Sequence, residues 1–442
     1  MPNLRWLTAG FVAASLLGQG GAALASGYAL REQSALGQGA SFAGVTARGD
    51  DPSMLFFNPA AMGWLPGMQA TIVGSLIMPR AEIESGSARR ASAFGGTAIT
   101  GSIDGDAAAD ALVPATYATV AIGTDWHVGL AITSPFGLVT KYDSDFIGRY
   151  HGLTSELRTI NIVPSIAWRP TETVSIGAGL QIQHADARIS NAVDFGTILA
   201  GRGARVAPGS LDGRSTLSGD DLAFGWQVGA QWRPMPGTAL GVAFRSAIHH
   251  ELEGDVRFQG VPAALATTFR DGGGRVKLTT PESASIGLTQ AIGPAFTLLA
   301  GAEWTNWSRF RTLTATFDTG LPPSVVEQNW RDTVYLSLGG EYRMSESVTL
   351  RTGIAWDQTP VRSEYRTPRI PDSNRFWLSA GLTWNVMPNV AFSAGYTHII
   401  GSTADLALTS GGPTSNNFTR GDLSARYSAS VDIVTAQLRI EF

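Results

Sequence analysis

The six histidines (His127, His151, His184, His249, His250 and His398) fall in no metal-ligand spacing and in no arrangement with a nucleophilic serine, and the chain has no cysteine. Thiolate metal sites and disulfide staples are therefore absent. No Ser–His pair or acidic cluster is available on which to build a hydrolase, so neither an enzyme activity nor a cofactor or metal is expected. The residues that stand out are suited to non-covalent work. Ser134-Pro135-Phe136-Gly137 sets a residue without an amide hydrogen close to one without a side chain, which breaks pairing wherever it falls in a sheet. Ile198, Leu199, Leu265 and Phe269 are apolar residues inside long connections, where exposed apolar groups usually mark binding. Gly27-Tyr28 lies near the N-terminus, and Asn58-Pro59-Ala60 forms a rigid polar turn. Together such residues could grip an apolar molecule, provided the fold brings them into position.

The positioning elements are strands. From Arg158 to Trp168, one parity reads Ile160, Ile162, Pro164, Ile166, Trp168 and the other Thr159, Asn161, Val163, Ser165, Ala167. This is period-2 alternation with one apolar face and one small or polar face. The run from Val174 to Gln183, the run around Trp226 and Trp232, and those beginning at Val334, Val348 and Phe376 repeat it.

Two further features separate a membrane barrel from a soluble sandwich. Apolar faces end on Trp168, Trp232, Tyr342 and Trp384, as an aromatic girdle at a bilayer edge requires. Connections alternate between short ones, such as 123–125, 169–173 and 344–347, and long ones, such as 190–221, 255–274 and 404–423; short periplasmic turns and long external loops give that asymmetry. Candidate strands run over 68–84, 112–123, 126–142, 156–169, 173–189, 222–233, 238–254, 275–291, 295–314, 330–343, 347–361, 374–385, 389–407 and 425–442. The chain is thus read as all-β, a 14-stranded antiparallel transmembrane β-barrel over 67–442. The last strand alternates to Phe442, which suits closure onto the first strand and leaves no edge in lipid.

The N-terminus reads as a secretory signal peptide over 1–25. Arg5 precedes an apolar core from Leu7 to Leu17, and Ala23-Leu24-Ala25 is a small-x-small cleavage site that leaves Ser26 first. A membrane anchor is the weaker reading, because Gly18-Gln19-Gly20-Gly21 cuts the core short. Export of a chain with 15% charged residues, 52 glycines and a net charge of −4 points to the bacterial outer membrane and gives no footprint for nucleic acid. Outer-membrane lipid, lipopolysaccharide and the barrel-assembly machinery are the expected partners, and the protein is expected to be a monomer.

Residues 26–66 do not alternate. They are rich in Gly, Ala and Ser, yet Met54-Leu55-Phe56-Phe57 is too apolar for a solvated tail. A barrel of this size has a lumen that needs filling, so the segment is read as an N-terminal hatch inside it. A break in a lipid-facing wall is costly unless hatch or ligand satisfies its backbone, which makes 134–137 the natural lateral exit. The inward charges Glu303, Glu341, Arg351 and Arg439 are expected to hold the hatch. A hydrophilic porin with a structural plug is the alternative.

The sequence also resembles the FadL/TodX outer-membrane transporters of long-chain fatty acids and aromatic hydrocarbons. The resemblance is carried by Ser26 to Ser34, by Asn58-Pro59-Ala60, by "TSPFGLVTKY" (133–142), "FRSAIHHELEGDV" (244–256), "NWSRF" (306–310) and "RTGIAWDQTPV" (351–361), and by "IPDSNRFWLSAGLTW" (370–384). It implies a fourteen-stranded barrel with an N-terminal hatch and energy-independent uptake of a hydrophobic small molecule. Ligand would be caught between two extracellular loops, held against the hatch N-terminus at Gly27 and Tyr28, and released sideways beside a kinked third strand. A fatty acid would need a cation for its carboxylate; Arg188 lies near the region where one is expected, without an assigned role.

Overall fold

The computed structural model describes residues 27–103 and 105–442; the signal-peptide reading falls outside them. Fourteen strands form one closed antiparallel barrel. They are β1 (Met68–Arg89), β2 (Ala111–Ile122), β3 (Trp126–Thr133 and Gly137–Lys141), β4 (Thr154–Thr171), β5 (Val174–Asp194), β6 (Asp212–Met235), β7 (Thr238–Arg245 and Ile248–Gln259), β8 (Gly272–Thr280 and Ser283–Ile292), β9 (Phe296–Thr305 and Thr312–Phe317), β10 (Ser324–Glu327 and Thr333–Arg343), β11 (Val348–Asp357), β12 (Arg375–Met387), β13 (Val390–Gly401 and Ala404–Leu408) and β14 (Asp422–Glu441). β14 zips onto β1 from Gln69↔Glu441 to Arg89↔Asp422, closing the cylinder. Closure removes the unpaired amides that lipid could not solvate.

The expected girdle forms at the end with the short turns. Trp168, Trp232, Tyr342 and Trp384 are exposed on the outer wall, and Trp126 stacks on Trp168 at 5.9 Å. Trp226, Trp304 and Trp356 stand exposed toward the opposite end. Between these two rows the outer wall is aliphatic, which defines the lipid belt.

Six strands are interrupted once: β3 at 134–136, β7, β8, β9 and β13 where the alternation had read as continuous, and β10 between Glu327 and Thr333, its first segment lying ahead of the expected start at 330. From β7 to β13 the interruptions lie at one level. Arg245 pairs with Ser283, Ser283 with Thr305 and Thr305 with Thr333; two residues on, Tyr335 pairs with Asp357, Asp357 with Arg375 and Arg375 with Gly401. Each chain breaks or ends just beyond this ring. Past it the outer wall turns polar, with exposed ion pairs such as Glu253–Arg275 at 3.1 Å and Asp405–Arg426 at 2.7 Å. The barrel is therefore a lipid-embedded cylinder topped by a collar in water. The collar also explains why β6 begins at Asp212, ten residues before its expected start at 222. The outward parity of this stretch, Asp212, Arg214, Thr216, Ser218 and Asp220, meets water, so no apolar face marks it in sequence, although Leu217 on the inner parity joins the buried core.

Residues 27–66 lie inside the cylinder and bond to its wall on all sides. Helix α1 (Ala35–Gln38) and two 3-10 turns (Pro52–Phe56 and Pro59–Trp64) are each started by a side-chain cap, from Ser34, Asp51 and Asn58. Gln38 bonds Thr397, Ser41 bonds Ser379, the Gln231 amide bonds the carbonyls of Thr46 and Arg48, and Ser175 bonds the Ala60 carbonyl. Wall glycines make room for this packing. A Cβ on Gly353 would lie 2.2 Å from the Ala40 carbonyl oxygen, and one on Gly241 2.0 Å from that of Thr46.

Candidate functional site

The third strand breaks where Pro135 and Gly137 predict. β3 pairs with β2 only as far as Ile132↔Thr116, and resumes contact at an isolated bridge between Thr140 and Ala108. Between those points the wall has a window, with residues 109–115 on one side and Ser134-Pro135-Phe136 on the other. The hatch supplies the missing strand. Leu30 donates its amide to Pro135 O at 2.8 Å, and Gly137 donates to Tyr28 O at 2.9 Å. Gln33 Nε2 donates to Ser134 O at 2.9 Å. On its other flank β3 is secured by Thr159, whose hydroxyl accepts from the Phe136 amide at 3.0 Å. The backbone of the break is thus satisfied by protein rather than left open to lipid.

Tyr28 sits at the junction of window and lumen. Its ring meets Trp307 edge-on at 4.6 Å and lies 5.7 Å from Trp330, 5.9 Å from Phe310 and 5.9 Å from Phe136. Its hydroxyl donates to Thr279 O at 3.2 Å, and burial pushes its pKa up, so it stays neutral. Gly27 anchors the segment: its amide donates to Asp372 Oδ2 at 3.1 Å. It holds φ +62, and a Cβ there would lie 2.6 Å from the Trp330 ring, so the position takes only glycine.

Tyr28 also lines a recess of about 750 Å³ of space free of protein atoms, part of it continuous with solvent. Leu138, Leu157, Leu217, Leu252, Val276 and Leu278 surround it, and Arg369 joins the lining. Arg369 comes from the 358–374 connection, which folds inward; Thr140 and Tyr142 hold its backbone through Arg369 O and Pro368 O at 2.8 and 2.7 Å. A second, more polar recess behind Tyr28 is lined by Arg31, Phe56, Pro135, Phe136, Arg245 and Glu303 among others.

The structure therefore brings Gly27, Tyr28, Ser134, Pro135, Phe136 and Gly137 together. Asn58, Pro59 and Ala60 lie elsewhere, against β5–β7. The Asn58 amide donates to Thr46 O at 2.7 Å and reaches Ala230 O and Val242 O at 3.3 Å, while its carbonyl accepts from the Ala60 amide at 3.0 Å. That is an anchor of hatch to wall. Ile198, Leu199, Leu265 and Phe269 do meet across two loops, as expected. With Phe195 they fill the space between the loops as a packed cluster, so in this conformation they line no open groove. Helix α2 (Phe195–Gly201), capped by Asp194, carries Ile198 and Leu199.

The inward charges hold the hatch. Arg31 pairs with Glu303 at 2.9 Å, Arg48 with Glu341 at 2.6 Å, Arg351 with Glu341, and Arg439 donates to Asp50 O at 2.7 Å. Arg188 faces outward on β5, exposed and opposite Glu156, and cannot reach the lumen. His250 bonds Asp221 and Gln183 at 2.9 and 3.0 Å; among the described residues no group of histidines and carboxylates has the geometry of a metal site.

Trp307, Trp330, Phe310 and Arg369 were missed by strand reasoning. Their signal was a lapse in parity. In 295–314 the apolar face runs Phe296, Leu298, Trp304 and then meets Asn306 and Ser308, where the chain turns inward at Trp307–Arg309.

Comparison with known proteins agrees with this architecture. Residues 17–442 match the family model described as outer membrane protein transport protein (OMPP1/FadL/TodX). The chain is 31% identical to a putative outer membrane protein of Neisseria meningitidis serogroup B, with 95% of each chain covered. It is 26% identical to the long-chain fatty acid transport protein of Escherichia coli K12, with 87% of this chain and 90% of that one covered. A Pseudomonas aeruginosa FadL homologue of known structure superposes with a TM-score of 0.87 at 22% identity, over 94% of this chain and all of the other. The Pseudomonas putida toluene transporter TodX gives 0.68 at 15% identity, over 95% of this chain and all of the other. A closed barrel with a belt of outward apolar residues, a filled lumen and a family match over nearly its whole length makes this chain an outer-membrane transport channel of the OMPP1/FadL/TodX family.

Proposed function

We propose that the protein takes up hydrophobic small molecules passively, catching them at the loops around Leu199 and Leu265, holding them in the recess above Tyr28, and releasing them into the membrane through the β2–β3 window. The observation that carries this reading is the hatch strand at the break. Tyr28 lines the apolar recess while the backbone of residues 28–30 completes the broken strand, so a shift of this one segment would join recess and window. The straight route past the hatch is far less accessible. Residues 35–66 bond to the wall on all sides, and clearing them would strip many buried polar groups of their partners at about 1–3 kcal/mol each.

The lining of the recess favours an apolar cargo. A hydrophilic porin would need a polar, water-filled path, and the hatch fills the lumen that would supply it. The relatives named for long-chain fatty acids and for toluene leave both cargo classes open. Replacing Gly137 with tryptophan tests the route. Uptake of a hydrophobic fluorophore into proteoliposomes is expected to stop, while heat-modifiable gel migration reports an intact barrel. Wild-type flux through that variant would rule out release through the window.

A further inference from the structure

We propose that the outermost part of the protein is a docking surface for a polyanionic sugar, and that its occupant is the phosphorylated core oligosaccharide of the lipopolysaccharide around the barrel. Three stretches build the surface: 86–103, from the end of β1 toward β2; 195–211, between β5 and β6; and 256–270, from the end of β7 toward β8. In a chain with 36 acidic and 32 basic residues, they hold Arg89, Arg90, Arg202, Arg205, Arg257 and Arg270 and neither Asp nor Glu. The three stretches pack as one lobe. Phe195, Leu265 and Phe269 join the second to the third. Phe94 lies 3.3 Å from where a Cβ on Gly201 would stand, and Arg90 pairs with Asp194 at 3.3 Å, which ties the first to the second.

Four of these arginines stay available. Arg89, Arg202, Arg205 and Arg270 are exposed, and among the described residues none has a carboxylate within ion-pair distance. Arg89 and Arg270 engage one nitrogen each, on Gly96 O at 3.2 Å and Thr319 O at 3.3 Å. The carboxylates at the foot of the lobe are occupied: Asp194 caps α2, Asp212 accepts from Arg149 and Tyr150 at 2.9 and 2.7 Å, and Asp271 accepts the Phe258 amide at 2.7 Å. Asp143 and Asp145, exposed on the adjoining 142–153 connection, form no ion pair with the lobe among the described residues. Lower on the collar charge is balanced, with Glu253 on Arg275 and Asp405 on Arg426.

Height selects the occupant. Leu222 is the outermost apolar residue on the outward face of β6, and the strand begins ten residues earlier at Asp212. At ~3.3 Å per residue and a tilt of roughly 40°, the lobe stands about 25 Å above the lipid belt. That is clear of the acyl chains and within the sugar layer of the same leaflet, whose core carries phosphates and carboxylates. Guanidinium forks match phosphate oxygens two at a time. Unpaired cations gathered on one lobe repel one another until a polyanion covers them, and this one is anchored beside every copy of the barrel.

The test uses the purified full-length barrel in a non-ionic detergent. Phosphorylated core oligosaccharide released from lipid A, the same oligosaccharide dephosphorylated, and a heparin fragment of equal charge are titrated separately, with microscale thermophoresis as the readout. The phosphorylated core is expected to bind about tenfold or more tighter than the dephosphorylated one, and to weaken as salt screens the arginines. Replacing Arg89, Arg202, Arg205 and Arg270 together with glutamine should abolish that preference, while heat-modifiable gel migration reports an intact barrel. Arg202→Gln with Arg205→Gln alone should reduce it by about threefold, a second reading should the fourfold variant fail to fold. Equal wild-type affinity for the two oligosaccharides would overturn the proposal, as would an unchanged preference in the variants. Tighter binding of the heparin fragment would also overturn it and assign the lobe to a sulfated glycan outside the cell.

Discussion

The Gly137 amide donates to the Tyr28 carbonyl at 2.9 Å, so the strand that Pro135 interrupts is completed by the first described residues of the chain. Ala29 and Phe136 form an antiparallel bridge at the same point. One hatch segment thereby both seals the wall and floors the recess.

Tyr28→Ala should unfasten that seal. The ring fills a nest of four aromatics, and removing such a side chain from a packed site typically costs about 3–5 kcal/mol. The loss falls on residues 27–33 and not on the barrel ladder. Hydrogen exchange at the Leu30 and Gly137 amides should speed up by at least about tenfold, and uptake of a hydrophobic fluorophore should rise. Unchanged protection at both amides would show that the ring does not hold the hatch in place.

Gly353→Val should dislodge the hatch from the opposite wall. The added Cβ would sit 2.2 Å from the Ala40 oxygen and 2.3 Å from its carbonyl carbon. Both are backbone atoms, so no rotamer change relieves the clash. Gly74→Val is the control, because nothing lies within 4 Å of its Cβ. In planar bilayers the first variant should conduct ions and the second should stay closed, with both barrels folded. A closed Gly353→Val channel would mean that the hatch yields around the side chain.

Asn58→Asp tests the anchor on the far side. The amide nitrogen of Asn58 points at three carbonyl oxygens; an aspartate would set an acceptor against acceptors. The local cost is about 1–3 kcal/mol for the unsatisfied groups and more for the charge. Limited proteolysis should cut between residues 46 and 60 in the variant and spare the wild type. Equal resistance would reduce Asn58 to a turn-former.

Much of the barrel was legible in sequence because its physics is local. A strand with lipid outside and small residues inside must alternate, as Ile160 to Trp168 does, and each such run was found with its facing. The collar was legible only in part. Where water replaces lipid, the outward apolar parity disappears, so Asp212 to Asp221 carries no clear mark, while Ile248 to Gly254 was read as strand because its inward face still alternates. The break at Pro135 could be read because proline removes a ladder donor whatever surrounds it. Arg369 could not. Its place in the lining depends on a connection that folds inward against β3, β4 and β5, contacts between segments far apart in the chain. The loop residues Leu199 and Leu265 were correctly placed together, but apolar composition does not distinguish a groove from a packed cluster.

Hatch stability should fall as pH rises from about 4.5 to 7, through Glu32. Its carboxyl is 1% exposed and its Oε2 has no hydrogen-bond partner among the described residues. Burial raises its pKa from 4.5 to about 7, against the weaker pull of backbone hydrogen bonds and of the Arg31 and Arg375 charges. Below pH 4.5 the carboxyl holds its proton whether the hatch is docked or released. Between 4.5 and 7 only the docked state holds it, so docking weakens with each step upward. Above 7 the penalty is complete and constant. Hydrogen exchange over residues 30–36, corrected for intrinsic rates, should therefore show protection declining across that window and then levelling. Glu32→Gln keeps the shape and removes the charge, and its protection should stay flat at the acidic plateau. A wild-type slope that persists in Glu32→Gln would assign the pH dependence to another group.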